Sequence, residues 1–191
     1  MVQGKLPPYK SWDEKCYQKY LLRFKLNRQQ KIKTYSKDMA MKLAIAVALA
    51  HRPQLLILDE TTSGLDPVMR EEILEVFLDF VQDEKHSILL SSHITSDLEK
   101  IADYITFIHE GNIILTAKKD DLLYRYAIMR CKAEQFAKMS KEDVLAYRKK
   151  DYQIDVLVAD KSKAERKYRE TVIDTVSIDE VMLLLVKGEK L

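Results

Sequence analysis

Leu55-Leu56-Ile57-Leu58-Asp59-Glu60 decides the fold. Four consecutive apolar residues end on two carboxylates, and Pro53 stands just before them. A continuous apolar run of strand length, without polar alternation, suits a strand covered on both faces, as in the parallel sheet of an α/β protein. Thr61 to Leu65 reads as a loop, and Asp66-Pro67 as the N-cap and first position of a helix to about Glu84. Ser87 to Ser91 is a second strand. Strand, helix and strand in this order predict a βαβ unit, with the sheet continuing to about residue 109.

Upstream, Ser11-Trp12-Asp13-Glu14 has the form of a capping box and predicts a helix to about Phe24. Ser36 is the expected cap of a second helix, Lys37 to about His51, apolar on most sides and so expected to be mostly buried. Downstream, Ser96-Asp97-Leu98-Glu99 reads as another capping box, and residues 104–116 as a β-hairpin turning at Glu110-Gly111-Asn112. From Asp121 the texture changes. Strands are expected at Tyr126–Cys131, Gln153–Val158 and Thr171–Asp174, separated by helices near 133–148, 161–169 and 178–187. The expected fold class is α/β: a helical subdomain (11–52) and a parallel-sheet half (54–116) in a first domain, 1–120. A small α+β accessory domain, 121–191, follows.

Composition narrows the function classes. The 191 residues are 47% hydrophobic and 32% charged, values of a globular chain rather than a disordered one. The longest apolar run, Leu43 to Ala50, is far shorter than the ~18 residues of a membrane span. No charged-then-apolar leader opens the chain, so secretion is not expected. Cys16 and Cys131 form no CxxC pair and read as thiols of a reducing cytoplasm. Net charge is +2, yet residues 1–34 carry nine Lys/Arg against Asp13 and Glu14. Nucleic acid is not the expected partner of that segment, because Tyr17, Tyr20 and Phe24 recur at helical spacing, as core residues do, rather than as a stacking platform. The four glycines, Gly4, Gly64, Gly111 and Gly188, are too scattered to build a phosphate loop, and neither GxxxxGK[ST] nor GxGxxG occurs.

Candidate chemistry gathers at the end of the first strand. Ligands of open α/β sheets bind at the carboxyl ends of strands, where Asp59 and Glu60 stand. One carboxylate there can hold Mg²⁺ while the other orients or deprotonates a water. A single such pair is ordinarily a solvated strand end. His93, which closes the next strand, brings an imidazole to the same edge, able to donate to a phosphate oxygen. Ser36 opens a helix whose free N–H groups and dipole favour anions, although it is a helix cap in any case.

Taken together these residues resemble the ATP-binding subunit of ABC transporters. Leu55–Glu60 is similar to the Walker B strand, Ser63-Gly64-Leu65-Asp66 to the D-loop, and His93 to the switch histidine. Tyr35-Ser36-Lys37-Asp38-Met39 stands in the place of the signature sequence. The stretch Ser91–Leu115 resembles the branch that serves bacterial drug, peptide and bacteriocin exporters, as do PYKSWDEK (8–15) and the small domain behind. The resemblance implies ATP and Mg²⁺ as cofactors. It makes Asp59 the Mg²⁺ residue, Glu60 the catalytic carboxylate and His93 a γ-phosphate contact. Ser36 and Asp38 would face the nucleotide of an opposite subunit, with Ser63 and Asp66 at that dimer contact. The implied partners are a membrane permease subunit and either a second copy or an intact ATPase subunit; the implied location is the cytoplasmic face of the cell membrane.

The departures carry their own expectations. The Walker A loop has no counterpart in these 191 residues, so the chain is expected to be a C-terminal fragment or a natural truncation, inactive alone. Asp38 replaces a signature glycine, adding a side chain and a negative charge where a polyanion should approach. Thr61 replaces a proline, and Tyr35 a leucine. A non-catalytic partner of an intact ATPase or permease, or a decayed remnant, are the other readings.

Overall fold

The computed structural model describes residues 11–190, which form two compact units, divided between Asp97 and Leu98. The Pro8–Lys10 part of PYKSWDEK lies outside the described residues. The expected 120/121 boundary falls inside the second unit.

The first unit begins with helix α1, Glu14–Arg23, whose cap is Asp13 rather than Ser11. The Asp13 carboxylate accepts from the Lys15 and Cys16 amides, at 2.9 and 3.1 Å, and from Arg52 Nε at 2.8 Å. The Cys16 amide and the Arg52 guanidinium hold this carboxyl below the usual range. Ser11 is drawn away from the helix because its hydroxyl donates to the His51 carbonyl. Helix α2, Lys37–Ala50, starts at Ser36 as expected, with the Ser36 hydroxyl accepting from the Met39 amide at 3.1 Å. Its burial is narrower than expected. Ile45, Ala46, Leu49 and Ala50 are buried, whereas the first two turns stay partly open. Tyr20 and Phe24 join the core, and Lys42 lies 5.7 Å from the Phe24 ring centroid while pairing with Glu72 at 2.7 Å.

Strand β1, Leu55–Asp59, runs parallel to β2, Ser87–Ser91, in the register Leu55↔Ser87 to Asp59↔Ser91. Between them α3, Pro67–Val81, turns Ile73, Leu74, Val76 and Phe77 into the core. Asp66 caps it, its carboxylate accepting from the Val68 and Met69 amides at 3.0 Å. The β1/β2 sheet has only these two strands among the described residues. Contrary to expectation it is covered on one face. Leu56 is buried, but Leu55, Ile57 and Leu89, on the opposite face, are 51, 71 and 61% exposed. An all-apolar run records that both faces suit cover; whether cover is present depends on other chain segments.

Helix α4, Thr95–Ile101, starts one residue before the expected capping box, so Ser96 is inside it and Asp97 becomes a first-turn residue. The second unit includes the hairpin of β3, Tyr104–His109, and β4, Asn112–Lys118, antiparallel and separate from the β1/β2 ladder. The expectation of one sheet running to residue 109 is corrected accordingly. Gly111, at φ +78°, supplies the left-handed turn position. A π-helical turn, Asp121–Arg125, leads to β5, Ala127–Cys131. There follow α5, Ala133–Phe136, a 3₁₀ turn Lys141–Asp143, β6, Ala146–Lys149, and β7, Ile154–Val158. Helix α6, Lys161–Lys167, strand β8, Val172–Thr175, and helix α7, Ile178–Lys187, complete the chain. The sheet order is β6-β7-β5-β8, all antiparallel. The long helix expected near 133–148 is thus a short helix, a 3₁₀ turn and a strand. Ile105, Phe107, Ile128 and Leu157 pack with Ile178, Val181 and Leu184 of α7, and Met129, Val156 and Val158 form a second apolar cluster with Ala164. The hairpin and the appended strands therefore share one core.

Candidate functional site

The parallel register brings the carboxyl ends of β1 and β2 side by side, Asp59 opposite Ser91. The ladder extends one bond further: the Glu60 amide donates to the Ser91 carbonyl and to Ser91 Oγ, both at 3.1 Å. Ser91 Oγ donates in turn to Asp59 Oδ1 at 2.5 Å. One hydroxyl thus orients the Asp59 carboxylate and anchors the Glu60 backbone. Sequence reading passed over Ser91; its signal was the strand pairing itself, which sets Ser91 level with Asp59.

Glu60 has a φ of +48°. The left-handed region costs a residue with a Cβ about 1–2 kcal/mol, and the loop holds it there through the Ser63 amide, which donates to the Glu60 carbonyl at 3.0 Å. The bend swings the Glu60 side chain to His93, whose Nδ1 stands 2.6 Å from Glu60 Oε2. Both side chains are open to solvent, at 43 and 67%.

Thr61, Thr62 and Leu65 are buried beneath this edge, Asp66 is exposed, and Ser63 lies between these extremes. Gly64 is left-handed, φ +71°, and a Cβ there would stand 2.9 Å from Lys37 Nζ. The Lys37 side chain, from the first turn of α2, therefore reaches the loop after β1. Ser36 is exposed and Asp38 partly buried in the first turn. The structure thus unites Asp59, Glu60 and His93 by direct or single-residue hydrogen bonding. Ser63 joins through the Glu60 carbonyl, while Ser36 and Asp66 are each engaged in capping their own helices.

The edge thus presents two carboxylates and an imidazole side by side. Mg²⁺ is ordinarily bound by one or two carboxylates with water and phosphate oxygens, not by a protein cage. Asp59, oriented by Ser91, fits that role, and among the described residues no cluster of three or more His, Cys, Asp or Glu could hold a metal unaided. The chain does not provide the glycine-rich run of backbone N–H groups that cradles a polyphosphate.

Comparison with known proteins agrees with the motifs. No protein-family model matches the chain. It is 46% identical over 89 residues to the lantibiotic transport ATP-binding protein SrtF of Streptococcus pyogenes, covering 47% of this chain and 38% of that one. It is 40% identical over 91 residues to the bacitracin transport ATP-binding protein BcrA of Bacillus licheniformis, 48% of this chain and 30% of the other. An ABC transporter ATP-binding protein of Mycoplasma pneumoniae is 32% identical over 148 residues, 72% of this chain and 45% of its own length. Among solved structures, an inward-facing metal-chelate type ABC transporter superposes with a TM-score of 0.50 at 17% identity, over 75% of this chain and 56% of that one, a likeness of fold alone. The chain spans less than half the length of these curated relatives. By sequence and fold it is a relative of the ATP-binding subunits of ABC transporters.

Proposed function

We propose that this chain supplies the hydrolytic and dimer-facing part of an ATP-binding subunit that energises an ABC-type exporter. The contact between Glu60 and His93 at the carboxyl edge of a parallel β1/β2 pair carries the reading. Glu60 acts as general base toward a water that His93 helps to hold, and His93 also donates to the terminal phosphate. Asp59 would hold Mg²⁺, which would offset the phosphate charge. Ser36, Asp38, Ser63 and Asp66 form the surface presented to an opposite subunit, whether a second copy or an intact ATPase. Asp38 weakens that surface for a polyanion, since a carboxylate there repels phosphate.

Without a phosphate cradle the chain by itself neither holds Mg²⁺-ATP tightly nor hydrolyses it. In this reading the polyphosphate anchor is supplied from outside these residues, and the open apolar face of Leu55, Ile57 and Leu89 is available to whatever supplies it. No helix among the described residues is long and apolar enough to cross a membrane. In this reading a permease subunit would hold the chain at the cytoplasmic face of the membrane. A non-catalytic role beside an intact ATPase keeps the same surfaces without turnover.

A chimaera in which this chain replaces its matching stretch of SrtF tests the reading. ATP hydrolysis should persist and should fall at least about a hundredfold with Glu60→Gln, the scale of a lost general base. A folded, ATP-binding chimaera that turns over equally well with Glu60→Gln overturns it. So does low-micromolar Mg²⁺-ATP affinity of the isolated chain, for the claim that the anchor lies elsewhere.

A further inference from the structure

Beneath the candidate site, Arg70 of α3 and Asp97 of α4 face each other with Nε and Oδ2 3.9 Å apart. Asp97 is 1% exposed, and both facing atoms are buried without a hydrogen-bond partner among the described residues. Thr62 Oγ1, in the loop between β1 and α3, is buried and without a hydrogen-bond partner among the described residues as well. The Asp97 side chain is almost wholly withdrawn from water and that of Arg70 is 27% exposed, and at 3.9 Å without a hydrogen bond the attraction repays that desolvation incompletely. Stability alone is a weak reason for such a pair.

Its position supplies a better one. Arg70 lies one helical turn past Asp66, and its amide donates to the Asp66 carbonyl at 2.9 Å. Asp97 lies one turn past His93, and its amide donates to the Ile94 carbonyl at 3.1 Å. The Ile94 amide is held in turn by the Ser92 hydroxyl at 3.0 Å. Arg70 thus stands at the start of α3, just after the Ser63–Asp66 loop, and Asp97 in the first turn of α4, just after His93. The loop is tied to Glu60 through the Ser63 amide, and His93 is tied to Glu60 through its imidazole.

We infer that Arg70 and Asp97 are positioning residues that set the distance between the two loops and so hold His93 against Glu60. The inference rests on the proposed role of that contact as the hydrolytic centre. Its test reads geometry rather than turnover, so the two can fail separately.

The test is NMR on the whole chain, following the His93 imidazole resonances and hydrogen exchange of the Ser63 amide. Arg70→Met with Asp97→Leu replaces the ion pair by apolar groups of similar bulk, a change that is often neutral for stability. At near-parental Tm this double variant should lose the hydrogen-bonded His93 Nδ1 signal and exchange Ser63 at least about tenfold faster. Asp97→Asn, nearly isosteric, should show the same change in smaller degree, and Arg70→Lys, which keeps the charge, should retain most of the parental signal. A folded double variant with parental His93 resonances and Ser63 exchange overturns the inference. Should the double variant not fold, parental values in Asp97→Asn overturn it equally.

Discussion

His93 Nδ1 and Glu60 Oε2 meet at 2.6 Å although 33 residues separate them. A parallel β1/β2 pair makes this possible, because both residues leave their strands at the same edge. Solvent reaches both side chains, so the contact contributes little to folding: an exposed ion pair is worth about 0–1 kcal/mol. Glu60→Gln and His93→Ala should each shift urea-unfolding stability by less than about 1 kcal/mol. A loss well above that would make the pair a structural brace instead of a preformed reactive contact.

Much of this arrangement was legible in the residues. The run Leu55–Leu58 announced a strand because it is short, wholly apolar and bounded by Pro53-Gln54 and two carboxylates, and Ser36 and Asp66 announced helix starts as short acceptors ahead of helix formers. What stayed hidden depends on partners distant in sequence. Ser11 resembles a cap, but Arg52 and the end of α2 select Asp13. Ala146–Lys149 is short and rich in long polar side chains; only the pairing with β7 and the Tyr147–Glu189 contact make it a strand. Arg70 and Asp97 look like ordinary surface charges of two helices until the fold buries their facing atoms together.

The open face of β1/β2 has a measurable consequence. Leu55, Ile57 and Leu89 form an apolar surface on a sheet whose outer edges pair with no further strand among the described residues, a combination that favours association. The isolated chain should bind a hydrophobic dye and elute as more than a monomer at high concentration. Ile57→Lys should reduce both while changing stability by less than about 1 kcal/mol, as an exposed substitution does. A monomer with no dye binding, and no response to Ile57→Lys, would mean that this face is covered in solution.

Acid should act on the second unit through Asp143. Hydrogen bonds from Lys163 and Lys167, both at 2.6 Å, and from Tyr168 hold its carboxyl far below the usual range, although burial opposes them. A depressed folded-state value adds stability that is present above the unfolded value of about 4 and is lost as pH falls below it. Asp143→Asn should therefore cost about 2 kcal/mol at pH 7, the scale of hydrogen bonds to a charged group, and the difference from the parent chain should shrink toward pH 2. An undiminished difference at low pH would assign the effect to shape rather than charge.

The two thiols should differ in the same chain. Cys131, 1% exposed on β5, is pushed up to about 11, first by burial and then by the Asp155 charge. Its Sγ donates to the Met139 sulfur, at 3.8 Å, a weak acceptor. Cys16 is also raised by burial, but it is half-open and donates to the Leu49 carbonyl at 3.6 Å. Because the thiolate is the reacting species, Cys131 at pH 8 should have on the order of a hundredfold less of it than a free cysteine. Alkylation followed by mass spectrometry should mark Cys16 within the native chain and Cys131 only as urea unfolds the second unit. Equal native labelling would show that β5 opens far more often than its burial between two apolar clusters allows.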